Sequence, residues 1–256
     1  MTSRLHGSKD FWIAGLRAEG PPFRDAVTQA PPDTPVPSCP EWTVTDLVHH
    51  LGSIYRWVRG HAVRGVNSPP ETRRAPVPEG LPTGPAAVEW WQDEYAELVD
   101  TLEALDPELP AWNWAPQAKK AGFWHRRMAH ETAVHRWDAQ MAIGAGEPVE
   151  AKLAVDGVSE VLDTWLPAGR RHNPTSRQGV VHLVATDAAQ EWFLRLRGEG
   201  VALLDTGTLL DTDEHPARAY AAGTASDLLL ALYGRVGFDV LEVTGDATLL
   251  DCLRTG

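Results

Sequence analysis

The sequence is short of cysteine and of basic residues. Cys39 and Cys252 are its 2 cysteines, and they lie far apart without a C-x-x-C pair, which argues against a dithiol redox centre or a cysteine-rich zinc module. Lysine and arginine number 23 against 35 acidic residues, so the net charge is −12. This balance argues against a nucleic-acid partner and against an anionic membrane surface as partner.

Segments that direct a chain to a membrane are also missing. The first residues, MTSRLHGSKDFW, have no apolar core of a signal peptide. No stretch approaches the roughly 20 consecutive apolar residues that a membrane helix needs. Together with the scarcity of cysteine, these features predict a cytoplasmic protein without a membrane partner. The length of 256 residues allows one large domain or two modest ones.

Metal-ligand side chains occur within an apolar helical stripe in AGFWHRRMAHETAVHRWDAQMAI, residues 121–143. Winding this stretch at about 100° per residue brings Glu131 and His135 onto one side, together with Trp124 and Met128. Side chains at i and i+4 are roughly 5–6 Å apart at Cβ, which suits two ligands of one ion. A bare buried carboxylate costs several kcal/mol, so Glu131 needs a partner.

A second helix, predicted from TVTDLVHHLGSIYRWV at residues 43–58, supplies a third candidate ligand. Its apolar stripe runs from Leu47 to Val58, and His50 lies on the flank of that stripe. His49 points to the opposite side, since adjacent helix positions cannot both face one site. His50 is therefore the histidine expected to meet the other two ligands.

His50, Glu131 and His135 form a set of two histidines and one carboxylate, which is typical of catalytic zinc and of non-haem iron. The alternative is a core histidine beside a buried ion pair of Glu131 with Arg127, which lies on the same face. Asp138 is either an acceptor that orients His135 or the partner of a nearby arginine. Spacing alone leaves these alternatives open.

The remaining pattern predicts an α+β protein with an N-terminal helical domain at residues 1–168 and a smaller α+β domain at residues 169–256. The 11 tryptophans are interpreted mainly as packing residues of a helical core, with a stacking surface as the alternative. The first domain is predicted to contain a four-helix bundle, with helices at residues 8–29 (interrupted or bent near residues 20–22), 43–58, 86–105 and 121–143, and a further helix at 151–166.

The second domain is predicted from alternating apolar residues and from one helix cap. Thr224 and Asp227 form the cap signature ahead of the apolar run at residues 228–232. The predicted strands cover residues 180–185, 192–197, 201–210 and 240–244, and a terminal helix covers residues 246–253.

Three segments, PSCPEWTVTDLVHHLG, RRMAHETAVHRWDAQMAIG and GTASDLLLALYGR, occur in this order. They resemble the mycothiol-dependent maleylpyruvate isomerase family, and the likeness spans nearly the whole chain. The resemblance implies a DinB-like four-helix bundle and a smaller sterol-carrier-like α+β domain. It also implies zinc held by His50, Glu131 and His135, with mycothiol as the cofactor.

The resemblance implies a small electrophilic substrate and a low-molecular-weight thiol. A thiol at the open position of zinc is deprotonated, and neither cysteine lies in a motif that would supply it. The sulfur either adds to a cis double bond and leaves after rotation, or remains on the electrophile, so the activity is isomerisation or S-transfer. Arg235 is the expected catalytic cation, with a charge at a helix C-terminus as its alternative role. The rival functions are a hydrolase that uses metal-bound water and a non-catalytic DinB-like stress or binding protein.

Overall fold

A computed structural model describes residues 7–169, 177–198, 200–204 and 217–255. Contacts within the chain divide it into two compact units, of which one spans Gly7–Glu147 and the other begins at Pro148. The first unit is helical, and the second contains a five-stranded sheet with two α-helices. The fold is therefore α+β, as predicted. None of the described helices combines the length and apolarity needed to span a membrane.

Four long helices make up the first unit. α1 packs on α4 and α3, and α2 packs on α3 and α4, so each helix has two neighbours in the group. This arrangement confirms the predicted bundle. The helices are α1 (Lys9–Gln29), α2 (Val44–Ala62), α3 (Pro85–Ala104) and α4 (Gly122–Ala142).

The start of α2 follows from a capping box that the sequence predicts. The backbone N–H of Asp46 donates to Thr43 Oγ1 at 3.3 Å, and the Thr43 N–H donates to Asp46 Oδ2 at 2.8 Å. Two backbone donors at the helix N-terminus are thereby satisfied. The cap sets the first turn of α2 and, through it, the position of His50 in the second turn.

α1 continues through Pro21 and Pro22, where the sequence predicts an interruption or a bend. Each proline removes a backbone donor, but packing compensates for the loss. Gly20 is buried, and the ring of Tyr95 from α3 occupies the space beside its α-carbon. Burial of this side of α1 against α3 and α4 favours one continuous helix over the local preference for a break.

The second unit includes α5 (Ala151–Glu160), which continues as a π-helical turn at Val161–Trp165. The sequence predicts one helix over these residues but assigns it to the first domain, which ends at residue 168. In the structure, the buried side of α5 packs against α6 (Ala225–Leu232), which groups it with the sheet. The boundary between independently folding domains remains a prediction.

The sheet has the strand order β3-β2-β1-β4-β5. β1 pairs with β4 in parallel, and the other neighbours are antiparallel. Inward-facing apolar residues of β1 and β2 alternate with more exposed ones, which is the pattern of a sheet covered on one face. The strands are β1 (Gln178–Ala185), β2 (Gln190–Arg197), β3 (Gly200–Leu204), β4 (Arg218–Gly223) and β5 (Glu242–Gly245).

Several predicted elements of this unit are present with altered bounds. The cap of α6 is formed by Thr224, whose Oγ1 accepts from the Asp227 N–H at 3.1 Å. β4 was not predicted, and the predicted terminal helix is a 3-10 helix at Ala247–Leu253. The part of the third predicted strand beyond Leu204 lies outside the described residues.

Candidate metal centre

α2 and α4 bring His50, Glu131 and His135 together. One ligand atom from each residue can be chosen so that all lie within 4.8 Å of one another. Glu131 Oε1 is 3.2 Å from His50 Nε2 and 3.3 Å from His135 Nε2. The sequence prediction that these three side chains share one place is therefore matched by the geometry.

The donor set fits one divalent cation. The two imidazole rings are nearly perpendicular, with centroids 4.9 Å apart, and both Nε2 atoms face the same carboxylate oxygen. A neutral histidine offers one nitrogen lone pair, and two such nitrogens with one carboxylate oxygen provide three ligands and leave positions for others. The exposed fraction of the side chains falls from 27% at His50 to 15% at Glu131 and 7% at His135, so the site opens on the side of His50.

Arg127 anchors the carboxylate from one turn earlier in α4. Its Nη2 donates to Glu131 Oε2 at 3.1 Å, which leaves Oε1 facing the histidines. Burial raises the pKa of Glu131, but hydrogen bonds from His135 and His50 and the charge of Arg127 outweigh it and hold the pKa well below its usual value. Glu131 is therefore a carboxylate. The predicted pair of Glu131 with Arg127 is present, and the two histidines contact the other oxygen of the same carboxylate.

Asp138 orients His135 from the next turn of α4. His135 Nδ1 lies 2.8 Å from Asp138 Oδ2, and Asp138 is completely buried. Burial lowers the pKa of His135, but its hydrogen bonds to Asp138 and Glu131 outweigh burial and raise the pKa. Where a cation takes the place of the proton on Nε2, the proton held on Nδ1 leaves the lone pair of Nε2 directed to the site. Of the two roles considered for Asp138, the geometry matches the one at the histidine, whereas Arg136 binds Glu19 at 2.6 Å.

The segment before α2 completes the surroundings of Asp138, and sequence reasoning missed this contribution. Ser38 Oγ donates to Asp138 Oδ1 at 2.5 Å. Cys39 Sγ lies 3.7 Å from Asp138 Oδ2, within the sulfur hydrogen-bond range. The contacts join residues about a hundred positions apart, and a local pattern carries no signal for them. Cys252 is buried in the second unit.

Trp42 lines the site beside the two histidines. Its ring centroid is 4.5 Å from that of His50 and 6.0 Å from that of His135. The sequence analysis assigned the tryptophans mainly to core packing, but Trp42 is half-buried. The available signal was its place immediately before the cap residue Thr43, at the end of α2 that carries His50.

Other histidines have different partners. His49 Nε2 lies 2.7 Å from the carbonyl oxygen of Pro82. His125 is completely buried, with ring nitrogens 2.9 Å from the Ala121 oxygen and 2.8 Å from the Leu102 oxygen. His130 is also completely buried in α4. None of the three belongs to the candidate metal group, as the sequence analysis predicts for His49.

Arg235 follows α6 in the second unit. Its Nη1 donates to the carbonyl oxygen of Tyr233 at 3.1 Å, and its backbone N–H donates to the oxygen of Leu230 at 2.8 Å. These bonds place Arg235 at the C-terminal end of α6, where its positive charge interacts favourably with the helix dipole. Its predicted role as a catalytic cation remains a prediction.

Comparisons with known families cover both units. The family model described as the mycothiol maleylpyruvate isomerase N-terminal domain matches residues 14–140. The model described as the MDMPI C-terminal domain matches residues 152–251. No curated protein sequence matches the chain significantly.

Two similar solved structures are the crystal structure of the mycothiol-dependent maleylpyruvate isomerase and that of a histidine-to-alanine mutant of this enzyme. Their TM-scores are 0.60 and 0.62, each at 11% sequence identity, and each comparison covers 95% of this chain and 96% of the other. At this identity the likeness establishes the fold.

Proposed function

Because the chain belongs to the mycothiol maleylpyruvate isomerase family, we propose that it is a mycothiol-dependent zinc enzyme with His50, Glu131 and His135 as the metal ligands. The observation that carries the proposal is the convergence of these three ligand atoms within 4.8 Å. Both histidines direct Nε2 to Glu131 Oε1, as ligands of one ion require. Zinc accepts two nitrogens and one carboxylate oxygen and retains an open position for a further ligand.

When bound, the zinc ion would favour the anionic form of a coordinating thiol and so supply a nucleophile at neutral pH. The protein's own groups prepare the site for this chemistry. Asp138 holds the proton of His135 on Nδ1, and Arg127 fixes the orientation of Glu131. Such supporting contacts set the direction and the basicity of the ligands.

An external thiol is proposed because neither cysteine is placed as the nucleophile. Cys39 Sγ approaches Asp138, which stands behind His135, and Cys252 is buried in the second unit. The family relationship supports mycothiol as this thiol. Isomerisation and S-transfer use the same thiol activation and differ in whether the carbon–sulfur bond breaks again after it has formed.

Arg235 is proposed to bind an anionic group of the substrate or of mycothiol. A guanidinium provides several N–H donors in a planar fork and suits a carboxylate. Arg235→Lys keeps the charge, and Arg235→Met removes it. If the proposal is correct, Arg235→Met raises KM or lowers kcat much more than it changes the metal content.

The test is the thiol dependence of turnover. Zinc-loaded protein is incubated with maleylpyruvate or another conjugated cis oxo acid, with mycothiol, with 2-mercaptoethanol, or without a thiol. The proposal predicts turnover with mycothiol and little with 2-mercaptoethanol, because the remainder of the larger thiol supplies binding energy that positions the sulfur. Equal hydrolytic turnover without any thiol would instead identify metal-bound water as the nucleophile.

A further inference from the structure

Trp42 holds a fixed position at the open side of the candidate metal centre. Its backbone N–H donates to the Cys39 oxygen at 2.8 Å, and its carbonyl oxygen accepts from the Val36 N–H at 2.9 Å. A β-bridge between Pro35 and Thr43 closes the same turn. The turn therefore fixes the backbone that carries the indole before any ligand binds, which lowers the entropic cost of using the ring as a contact surface.

The indole faces both histidines, but its N–H has no hydrogen-bond partner among the described residues. Two other tryptophans of the bundle use theirs, whereas Nε1 of Trp90 and Nε1 of Trp91 are buried without a hydrogen-bond partner in the described part of the chain. Trp57 Nε1 donates to the Thr72 oxygen at 2.9 Å, and Trp124 Nε1 donates to the Trp112 oxygen at 2.7 Å. The N–H of the half-buried Trp42 is not among these enclosed donors, so it is available to a ligand.

We propose that the side chain of Trp42 binds the thiol. The indole face packs against the carbon atoms next to the sulfur, and the indole N–H donates to an amide oxygen of the thiol. The ring lies 4.5 Å from His50, the most exposed of the three candidate ligands. A group that enters at the open side consequently lies beside the indole. The ligand class is a cysteine-derived thiol that carries an amide, such as mycothiol.

This inference rests on the proposed function, because the thiol lies beside Trp42 only if it enters the metal centre. It adds a determinant of thiol selection that the three ligands do not provide. A simple thiol such as 2-mercaptoethanol presents a short carbon chain and no amide oxygen. Trp42 should therefore favour the amide-bearing thiol and should matter less for the simple one.

The experiment measures mycothiol affinity by calorimetry on zinc-loaded protein, with the affinity expressed per zinc-loaded site. Trp42→Phe keeps an aromatic face without the N–H donor, and Trp42→Ala removes both. Trp114→Phe is the matched control, because Trp114 is also a half-buried tryptophan but packs on Phe123, at the N-terminal end of α4. The affinity for 2-mercaptoethanol is measured in parallel.

We expect Trp42→Ala to weaken mycothiol binding by about tenfold or more and Trp42→Phe to weaken it by a smaller factor, as lost ring contact and a lost hydrogen bond predict. The control variant should bind as the unaltered protein does. Equal mycothiol affinity in the unaltered protein and both Trp42 variants would overturn the inference and leave the proposed function intact. Failure of the unaltered zinc-loaded protein to bind mycothiol would overturn both.

Discussion

His135 and Asp138 lie one turn apart on α4, with 2.8 Å between Nδ1 of the histidine and Oδ2 of the aspartate. The aspartate is completely buried, and Ser38 donates to its other oxygen. This pair joins the segment before α2 to a candidate metal ligand. It makes the orientation of His135 depend on residues that are not candidate metal ligands.

Asp138→Asn should lower zinc affinity by roughly 10-fold to 100-fold, since a neutral acceptor holds the Nδ1 proton of His135 less strongly. Competition with a chromophoric chelator measures the affinity directly. Asp100→Asn, at an exposed position of α3, is the control and should bind zinc as tightly as the unaltered protein. Unchanged affinity in Asp138→Asn would remove Asp138 from the metal centre.

The buried ion pair between Glu19 of α1 and Arg136 of α4 should contribute strongly to bundle stability. Arg136 Nε is 2.6 Å from Glu19 Oε2, and both side chains are almost completely buried. Glu19→Ala should reduce the free energy of unfolding by about 3 kcal/mol or more, because it leaves a guanidinium without its carboxylate. Urea unfolding followed by circular dichroism measures this change.

Glu103 provides the matched control for Glu19, because it pairs with Arg17 on the surface at 2.6 Å, with side chains 41% and 54% exposed. Exposed pairs contribute about 1 kcal/mol or less. Glu103→Ala should therefore change the free energy of unfolding little. Equal effects of the two variants would contradict the buried character of the α1–α4 pair.

His61 should make the protein less stable in mild acid. Burial among Trp57 and Trp124 lowers its pKa to about 4, and Nε2 has no hydrogen-bond partner among the described residues. The unfolded chain takes up a proton near the ordinary histidine pKa of about 6.5, whereas the folded protein does so only near 4. Stability is therefore lost as the pH falls from the first value toward the second, by an amount on the order of 3 kcal/mol at most.

His61→Phe removes this titration and keeps an aromatic ring in the cluster. The difference in unfolding free energy between about pH 7 and about pH 4.5 should be smaller in the variant than in the unaltered protein. Urea unfolding at both values provides the comparison. An identical difference in the two proteins would show that His61 is not buried in its neutral form.

Thiol-dependent turnover should survive the loss of both cysteines. Cys39→Ser keeps a hydrogen-bond donor beside Asp138, and Cys252→Ser alters a residue of the other unit. The double variant should retain most of its turnover with mycothiol. Glu131→Gln should lose it, because removing the ligand's charge weakens metal binding. Loss of turnover in the cysteine variant with full metal content would point to a protein thiol as the nucleophile.

The candidate ligands could be predicted from the sequence because their signal is local. Glu131 and His135 are one turn apart in a helical stripe, and His50 lies on the flank of another. The helix caps at Thr43 and Thr224 are local in the same sense, and the structure contains both. Periodicity and capping depend on neighbours within about one or two turns, so such predictions need no knowledge of the tertiary fold.

The features that sequence reasoning missed depend on distant contacts. β4, with the sequence RAYAAG, lacks β-branched residues, and its pairing with β1 in parallel decides its conformation. α1 passes through Pro21 and Pro22 because packing compensates for the lost donors. The contacts of Ser38 and Cys39 with Asp138 arise only when the turn before α2 meets α4.

The metal content of purified protein tests the central claim most directly. Plasma mass spectrometry on the unaltered protein should find about one zinc ion per chain, as expected for one three-ligand site. His50→Ala and His135→Ala should lose that zinc, while His49→Ala, which alters a histidine facing the Pro82 oxygen, should retain it. Full zinc occupancy in His50→Ala or His135→Ala, or loss of zinc in all three variants alike, would contradict the assignment of His50, Glu131 and His135 as the metal ligands.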